Sequence, residues 1–215
     1  MKPANIAARG HKVTRPLGVI LAGGRATRMG GGDKGLRRLG GRALLDHVIE
    51  RLAPQCAGLA LNANGDPARW AGYDMPVFPD DLPDHPGPLA GVLAGLEWAA
   101  GRGAEAIVTA AADTPFFPRD LGARLAAAAG PKGLALAATR EAGGKLWRQP
   151  TFGLWPVALR NDLRAALADG LRKIVIWTDT HDAGLAEFPD LPFDPFFNIN
   201  TPDDLSRAET LLELT

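Results

Sequence analysis

Residues able to do chemistry fall at four places in this chain. The densest is Leu17-Gly-Val-Ile-Leu-Ala-Gly-Gly-Arg-Ala-Thr-Arg-Met-Gly-Gly-Gly-Asp-Lys-Gly-Leu36, where Gly23, Gly24, Gly30, Gly31 and Gly32 fall within ten positions. Arg25, Arg28 and Lys34 lie between and after them. Glycine lets the backbone take positive φ and bring its N–H groups close to a ligand. Cations beside such a loop supply what a row of phosphates wants, so the stretch suits a triphosphate cradle. The second place is Asn62, in Asn62-Ala-Asn64-Gly65, and the third is Asp80, in Asp80-Asp81. Both suit recognition of a ligand by hydrogen bonds, or plain turn chemistry. The fourth is Asp113, in Asp113-Thr114-Pro115. A carboxylate held by a proline turn suits an acidic metal ligand, with an Asx-turn cap as the alternative.

The elements that must position these groups alternate between strand and helix. Leu17 to Ala22 reads as a buried strand, and Ala43 to Ala53 has apolar residues at helical spacing. Gly58–Asn62 and Pro76–Pro79 are short strands ending at Asn62 and Asp80. A proline-rich loop containing His85 runs into a helix over Pro88–Ala100, with Gly91 and Gly95 one turn apart for close packing. Ala104–Ala112 is apolar on both faces, hence central and parallel, and delivers Asp113. Pro118–Ala129 is a helix, Leu134–Thr139 and Arg148–Trp155 are strands, and Val157–Ala168 is a helix. Arg172–Trp177 reads equally as strand or short helix. Pro195–Pro202 reads as a last strand on which Asn198 and Asn200 share a face. Thr201 caps a closing helix, with Pro202 in its first turn. The whole is α/β: one doubly wound, mostly parallel sheet with helices on both faces. In such a sheet the carboxyl ends of the strands share one edge, where ligands bind. Asn62, Asp80, Asp113 and the glycine loop therefore converge.

Two familiar phosphate motifs are excluded. A Walker loop needs Gly-Lys-Ser/Thr, but Lys34 is followed by Gly35 and Leu36. The Gly-x-Gly-x-x-Gly fingerprint opening a helix is not supplied by Gly23-Gly24-Arg25. No Ser/His/Asp or Cys/His nucleophile set is recognisable.

Lys and Arg together number 24, as do Asp and Glu. That balance argues against a nucleic-acid partner, which needs a basic field. Charge is uneven, however. From Gly24 to Arg42, Arg25, Arg28, Lys34, Arg37, Arg38 and Arg42 face Asp33 alone, which suits a small polyanion. Cys56 is the one cysteine, so neither an intrachain disulfide nor a cysteine metal site is expected. It and His47 read as packing residues. No apolar run is long enough for a membrane span, and residues 1–16 lack a signal-like core. They read as a flexible tail, and the protein as cytoplasmic.

The motifs Leu21-Ala-Gly-Gly, Arg28-Met-Gly-Gly, Asp33-Lys-Gly-Leu, Asn62-Ala-Asn, Asp80, Pro86-Gly-Pro-Leu-Ala-Gly91, Asp113-Thr-Pro and Asn198-Ile-Asn-Thr-Pro202 resemble the molybdenum cofactor guanylyltransferase family. The resemblance implies a Rossmann-like nucleotidyltransferase domain over 17–215, binding GTP with about 17–130 and the acceptor with about 131–215. It implies backbone contacts to guanine nucleotide from Leu21, Ala22 and Gly23. Lys34 would bind phosphate, Arg28 would stabilise the reacting phosphates, and Asn62 and Asp80 would contact the nucleoside. Asp113 would bind Mg²⁺, and Asn198, Asn200 and Arg172 would meet the acceptor. The implied reaction joins GMP from GTP to the phosphate of Mo-molybdopterin, releasing pyrophosphate, with molybdoenzymes or their chaperones as further partners. Between Ala138 and Asp190 the match thins to Gln149-Pro150 and Arg172-Lys173 after Gly170. Two rivals stand beside it. One is a nucleotidyltransferase using CTP with the pterin or acting on a sugar or polyol phosphate. The other is a GTP-binding adaptor for molybdoenzyme maturation without chemistry.

Overall fold

Successive residues of the first strand face opposite ways, and both sides are dry. In β1 (Leu17–Leu21), Val19 packs into one apolar cluster and Ile20 into another. A strand buried on both faces must carry helices on both faces, and the chain supplies them. The computed structural model describes residues 15–23, 31–81, 87–141 and 143–214. Gly24, Arg25, Arg28 and His85 therefore lie outside the described residues, as does the expected tail up to residue 14. Arg15 and Pro16 are tied down: the Arg15 guanidinium donates to the Pro54 carbonyl at 2.7 Å, and the Pro16 carbonyl accepts from the Ala57 N–H at 2.9 Å.

After β1 comes a 3₁₀ turn over Lys34–Leu36, then the small hairpin β2 (Arg38–Leu39) and β3 (Arg42–Ala43), and α1 (Leu44–Leu52). Next are β4 (Leu59–Asn62), β5 (Val77–Phe78), α2 (Pro88–Ala100), β6 (Ala106–Ala111) and α3 (Leu121–Ala128). The chain ends with β7 (Ala135–Arg140), β8 (Leu146–Pro156), α4 (Arg160–Ala168), α5 (Ile174–Asp179), β9 (Gly184–Pro189) and α6 (Pro202–Leu212). Seven strands form one sheet in the order β5-β4-β1-β6-β8-β7-β9, with β8 antiparallel to its neighbours and the other pairs parallel. On one face α1 and α3 bury Leu45, Val48, Leu121 and Leu125 against Ile20, Val108 and Phe152. On the other, α2, α4 and α5 bury Val92, Leu96, Leu163 and Trp177 against Val19, Ile107 and Trp155.

The ambiguous run after Gly170 is the helix α5. Ile174, Trp177 and Thr178 are buried while Ile176 is 50% exposed, a spacing of three and four that only a helix provides. The strand expected over Pro195–Pro202 is not formed. Its N–H groups are engaged elsewhere: Phe196 on the Asp194 carboxylate, Phe197 on the Asp194 carbonyl, Ile199 on the Asp113 carbonyl, and Asn200 and Thr201 on the Asp204 carboxylate. Five donors of the segment are thus withheld from a ladder. A strand passed over in the sequence, β9, pairs in parallel with β7 at the sheet's edge.

Both glycines expected to admit α2 closely do so. A Cβ on Gly91 would lie 2.2 Å from Asn62 Oδ1, and one on Gly95 would lie 3.0 Å from Val19 and Ile107. Cys56 is buried and unpaired, and burial pushes its thiol up to about 12, which makes it inert packing. The hairpin is fastened to the last helix, since the Gly40 N–H donates to both carboxylate oxygens of Glu209 at 3.0 and 3.1 Å. Among the described residues no helix is long and apolar enough to cross a membrane.

Candidate active site

The strand register brings the candidate residues to one edge. Leu21 is opposite Asn62 on one side and Ala111 on the other, and Asn62 is opposite Phe78. Asp80 and Asp113 each follow two residues beyond those ends, and Ala22 and Gly23 continue from Leu21. The chain runs outward from β1 to β4 and β5, then returns through α2 to β6 on the far side of β1. This reversal is the switch point at which open α/β sheets bind ligands. A cleft of about 290 Å³ opens there, lined by Leu21, Gly23, Asn62, Asn64, Asp80, Gly87, Pro88, Gly91, Ala111, Asp113, Thr151 and Asn198.

Lys34 enters from the glycine loop. Gly31 and Gly32 have φ of +87° and +80°, with nothing within 4 Å of where a Cβ would stand. Glycine is needed here for conformation rather than for space. Asp33 turns toward Arg69, and both of its oxygens accept from Arg69 Nη1 at 2.7 Å. Gly35 packs inward, its Cβ position 3.3 Å from Ala112. Between these anchors Lys34 Nζ reaches Asp113 Oδ2 at 3.1 Å and donates to Asn200 Oδ1. The lysine and aspartate side chains are 16% and 14% exposed, so the pair is largely withdrawn from bulk water.

At the other end of the cleft Asp80 is held by two amides. Asn62 Nδ2 donates to its Oδ1 at 3.0 Å and Asn64 Nδ2 to its Oδ2 at 2.8 Å. Asn64 Oδ1 accepts the Asp80 N–H at 2.8 Å in return. Asn64 and Arg69 were not singled out from the sequence. Asn64 could have been, since it repeats the amide type two residues after Asn62 before a glycine turn. Arg69 carries no signal in residue type, because its carboxylate partner Asp33 lies 36 positions away and its local partners are the backbone carbonyls of Asn64 and Asp66.

The segment before α6 closes the third side. The Ile199 N–H donates to the Asp113 carbonyl at 3.0 Å, and buried Ile199 turns Asn198 toward the cleft. Asn200 is oriented by the α6 cap: its N–H and that of Thr201 donate to the Asp204 carboxylate at 2.9 Å each, and Thr201 Oγ1 accepts from the Asp204 N–H. The Asn200 N–H first, with help from Thr201, holds the Asp204 carboxyl below its usual range. Arg172 is not brought to this cleft. Its guanidinium donates to the Leu167 and Leu171 carbonyls at 2.9 and 2.8 Å, capping the end of α4.

Among the described residues no three acidic, histidine or cysteine side chains cluster as a closed metal site. Asp113 supplies one carboxylate. Mg²⁺ commonly takes one or two carboxylates together with substrate phosphates, so the donor set fits a metal that arrives with its nucleotide.

Fold and cleft together place the chain among the nucleotidyltransferases, and residues 18–182 match the family described as MobA-like NTP transferase domain. The molybdenum cofactor guanylyltransferase of Bradyrhizobium sp. (strain ORS 278) is 54% identical over 199 residues, covering 90% of this chain and 92% of its own. That of Rhodopseudomonas palustris (strain BisB5) is 52% identical over 196 residues, with 90% and 92% covered. Among solved structures, molybdopterin-guanine dinucleotide biosynthesis protein A from Archaeoglobus fulgidus superposes with a TM-score of 0.68 at 25% identity, covering 93% of this chain and 100% of its own. The chain belongs to the molybdenum cofactor guanylyltransferase family.

Proposed function

We propose that the protein transfers GMP from GTP to the phosphate of Mo-molybdopterin, releasing pyrophosphate and forming the molybdopterin guanine dinucleotide cofactor. The observation that carries this reading is the Lys34–Asp113 pair at 3.1 Å, set at the rim of a cleft whose far end holds the Asn62–Asp80–Asn64 network. Relatives about half identical over nine-tenths of the chain support the same substrates.

An oxygen of the acceptor phosphate forms the new bond to the α-phosphorus, and the bond from that phosphorus to the bridging β-oxygen breaks. The acceptor brings its own nucleophile, so the protein positions groups and neutralises charge. Lys34 is a point charge for phosphate oxygens, and Arg28 adds a second at the reacting phosphates. The backbone of Leu21, Ala22 and Gly23 runs along the nucleotide. Asn62 and Asp80 read base and ribose, Asn62 held by Asp80 and the Phe78 carbonyl, and Asp80 by Asn62 and Asn64. Asp113 would hold Mg²⁺, which would withdraw charge from the phosphates. Asn198 and Asn200 meet the acceptor. They are neutral, so they approach a phosphate without a charge penalty. Arg172, engaged at the end of α4, is left out of this assignment. The GTP part is about 17–130 and the acceptor part about 131–215.

The test is incubation of the protein with GTP, Mg²⁺ and Mo-molybdopterin, followed by mass analysis of the product. The expected result is a pterin heavier by GMP and one pyrophosphate per turnover. Preference for CTP would move the reading to cytidylyl transfer. GTP binding without pyrophosphate release would move it to an adaptor.

A further inference from the structure

The longest strand contains a break that separates two clefts. On β7, Leu136 pairs with Gly153 of β8, yet the next residue, Ala137, pairs with Gln149. Pro150, Thr151 and Phe152 are left without partners on β7 and form a bulge. Bulges re-aim side chains, and they recur beside active sites. Thr151 lines the nucleotide cleft. Gln149 and Trp147 line a second cleft of about 390 Å³ on the same sheet edge. Two residues span at most about 7 Å, so the clefts adjoin. The segment before α6 also joins them, with Asn198 in the first and Asp194 in the second.

The two clefts differ in chemistry. The first meets Lys34. The second sets an aromatic plate among Glu141, Asp190 and Asp194, and the one cation of its lining, Arg148, is paired with Asp179 at 2.6 Å. Trp147 is 47% exposed, and its ring is held by the Nε1 donation to Glu141 at 2.6 Å and by Lys145 Nζ, 3.5 Å from the ring centroid. Asp194 is oriented by a relay in which Gln149 donates to the Thr139 hydroxyl at 3.0 Å and that hydroxyl donates to Asp194 Oδ1 at 3.1 Å. Asp190 makes no side-chain hydrogen bond among the described residues, although it lines the same cleft.

Carboxylates beside an aromatic face repel phosphate and accept from ring N–H and exocyclic amino groups. We infer that this second cleft seats the planar nitrogen heterocycle of the acceptor, with Trp147 as stacking platform and Asp190 and Asp194 reading its N–H edge. The inference rests on the pterin acceptor proposed above. The acceptor then lies across the bulge, its ring beside Trp147 and its phosphate directed toward Lys34.

The test measures KM for the pterin substrate and for GTP in wild type, Trp147→Ala, Trp147→Phe and Asp190→Asn. Stacking of a base on an aromatic ring is worth enough that its loss should raise the pterin KM about tenfold, with GTP KM unchanged. Asp190→Asn should raise the pterin KM in the same selective way. Trp147→Phe keeps a ring but loses the donation to Glu141, and should recover most of the wild-type value. If wild type turns over the pterin and both Trp147→Ala and Asp190→Asn keep its KM, the second cleft is not the ring site and the proposed reaction stands. A Trp147→Phe variant as poor as Trp147→Ala would refute stacking. No turnover of the pterin by wild type would overturn the proposed acceptor, and this inference with it.

Discussion

Replacing Asp113 by Asn removes a charge and keeps a shape. The carboxylate is 14% exposed and sits 3.1 Å from Lys34 Nζ. At an effective dielectric of about 20, the Coulomb attraction at that separation is roughly 5 kcal/mol. Desolvation of the two charges offsets most of it. Asn retains an oxygen that accepts from the Lys34 ammonium, so the ion pair is lost while a hydrogen bond with one charged partner stays, and the stability lost is about 1–2 kcal/mol. The variant should fold. It should bind metal-free GTP at least as tightly as wild type, because Lys34 then faces the phosphates without a counter-charge. Turnover should fall by about 10²–10³-fold, the usual cost of removing one preorganised electrostatic group, and more Mg²⁺ should be needed. The assays are thermal unfolding, GTP binding in the presence of a chelator, and pyrophosphate release against Mg²⁺ concentration. Near-normal turnover at the wild-type Mg²⁺ optimum would refute the reasoning and leave Asp113 as the cap of its turn.

Lys34→Ala should weaken GTP binding by about 1.5–3 kcal/mol, the range for a charge-assisted contact; wild-type affinity in a folded variant would remove Lys34 from the site. Gly91→Ala puts a methyl 2.2 Å from Asn62 Oδ1, which should cost about 1–3 kcal/mol of stability and raise GTP KM, read by Tm and kinetics. If neither moves, α2 is looser on the sheet than its packing implies. The depressed pKa of Asp204 makes its cap a contributor to stability above the ordinary aspartate range, lost as pH falls through the lower folded value. The protection factors of the Asn200 and Thr201 amides, taken against the intrinsic exchange rate at each pH, should therefore be high at neutral pH and fall in acid, while in Asp204→Ala they are low throughout. High protection at every pH in that variant would mean the cap does not hold the segment.

The sequence made the parallel half of the molecule readable because its signals are local. Leu17–Leu21, Leu59–Asn62 and Ala106–Ala111 are mainly apolar runs with the site residues at or just beyond their ends, and parallel register alone carries those ends to one edge. What escaped was non-local. The alternation around Asn198 and Asn200 imitates a strand, yet a cap and a strand-end carbonyl had already taken its N–H groups. β9 went unmarked, although buried Ala186 and Phe188 alternate with exposed Glu187. Arg172 stands two residues after a glycine much as a substrate-binding cation would, but its guanidinium turns back to the carbonyls of Leu167 and Leu171 at the end of α4. The bulge in β8 depends on pairing with β7 and leaves no trace in residue type beyond Pro150.

Lys34 bonds to residues 79 and 166 positions further along the chain, which sets an order of events during synthesis. The Asp113 contact becomes available once β6 has emerged. The Asn200 contact, and the Gly40–Glu209 clasp, wait for the segment before α6 and for α6 itself. A nascent chain can thus complete its nucleotide half early and remain without the closing wall beside Lys34 until that segment follows. Chains truncated at residue 194 should retain GTP binding and form no product. Product formation by such a chain would show that the closing segment is dispensable.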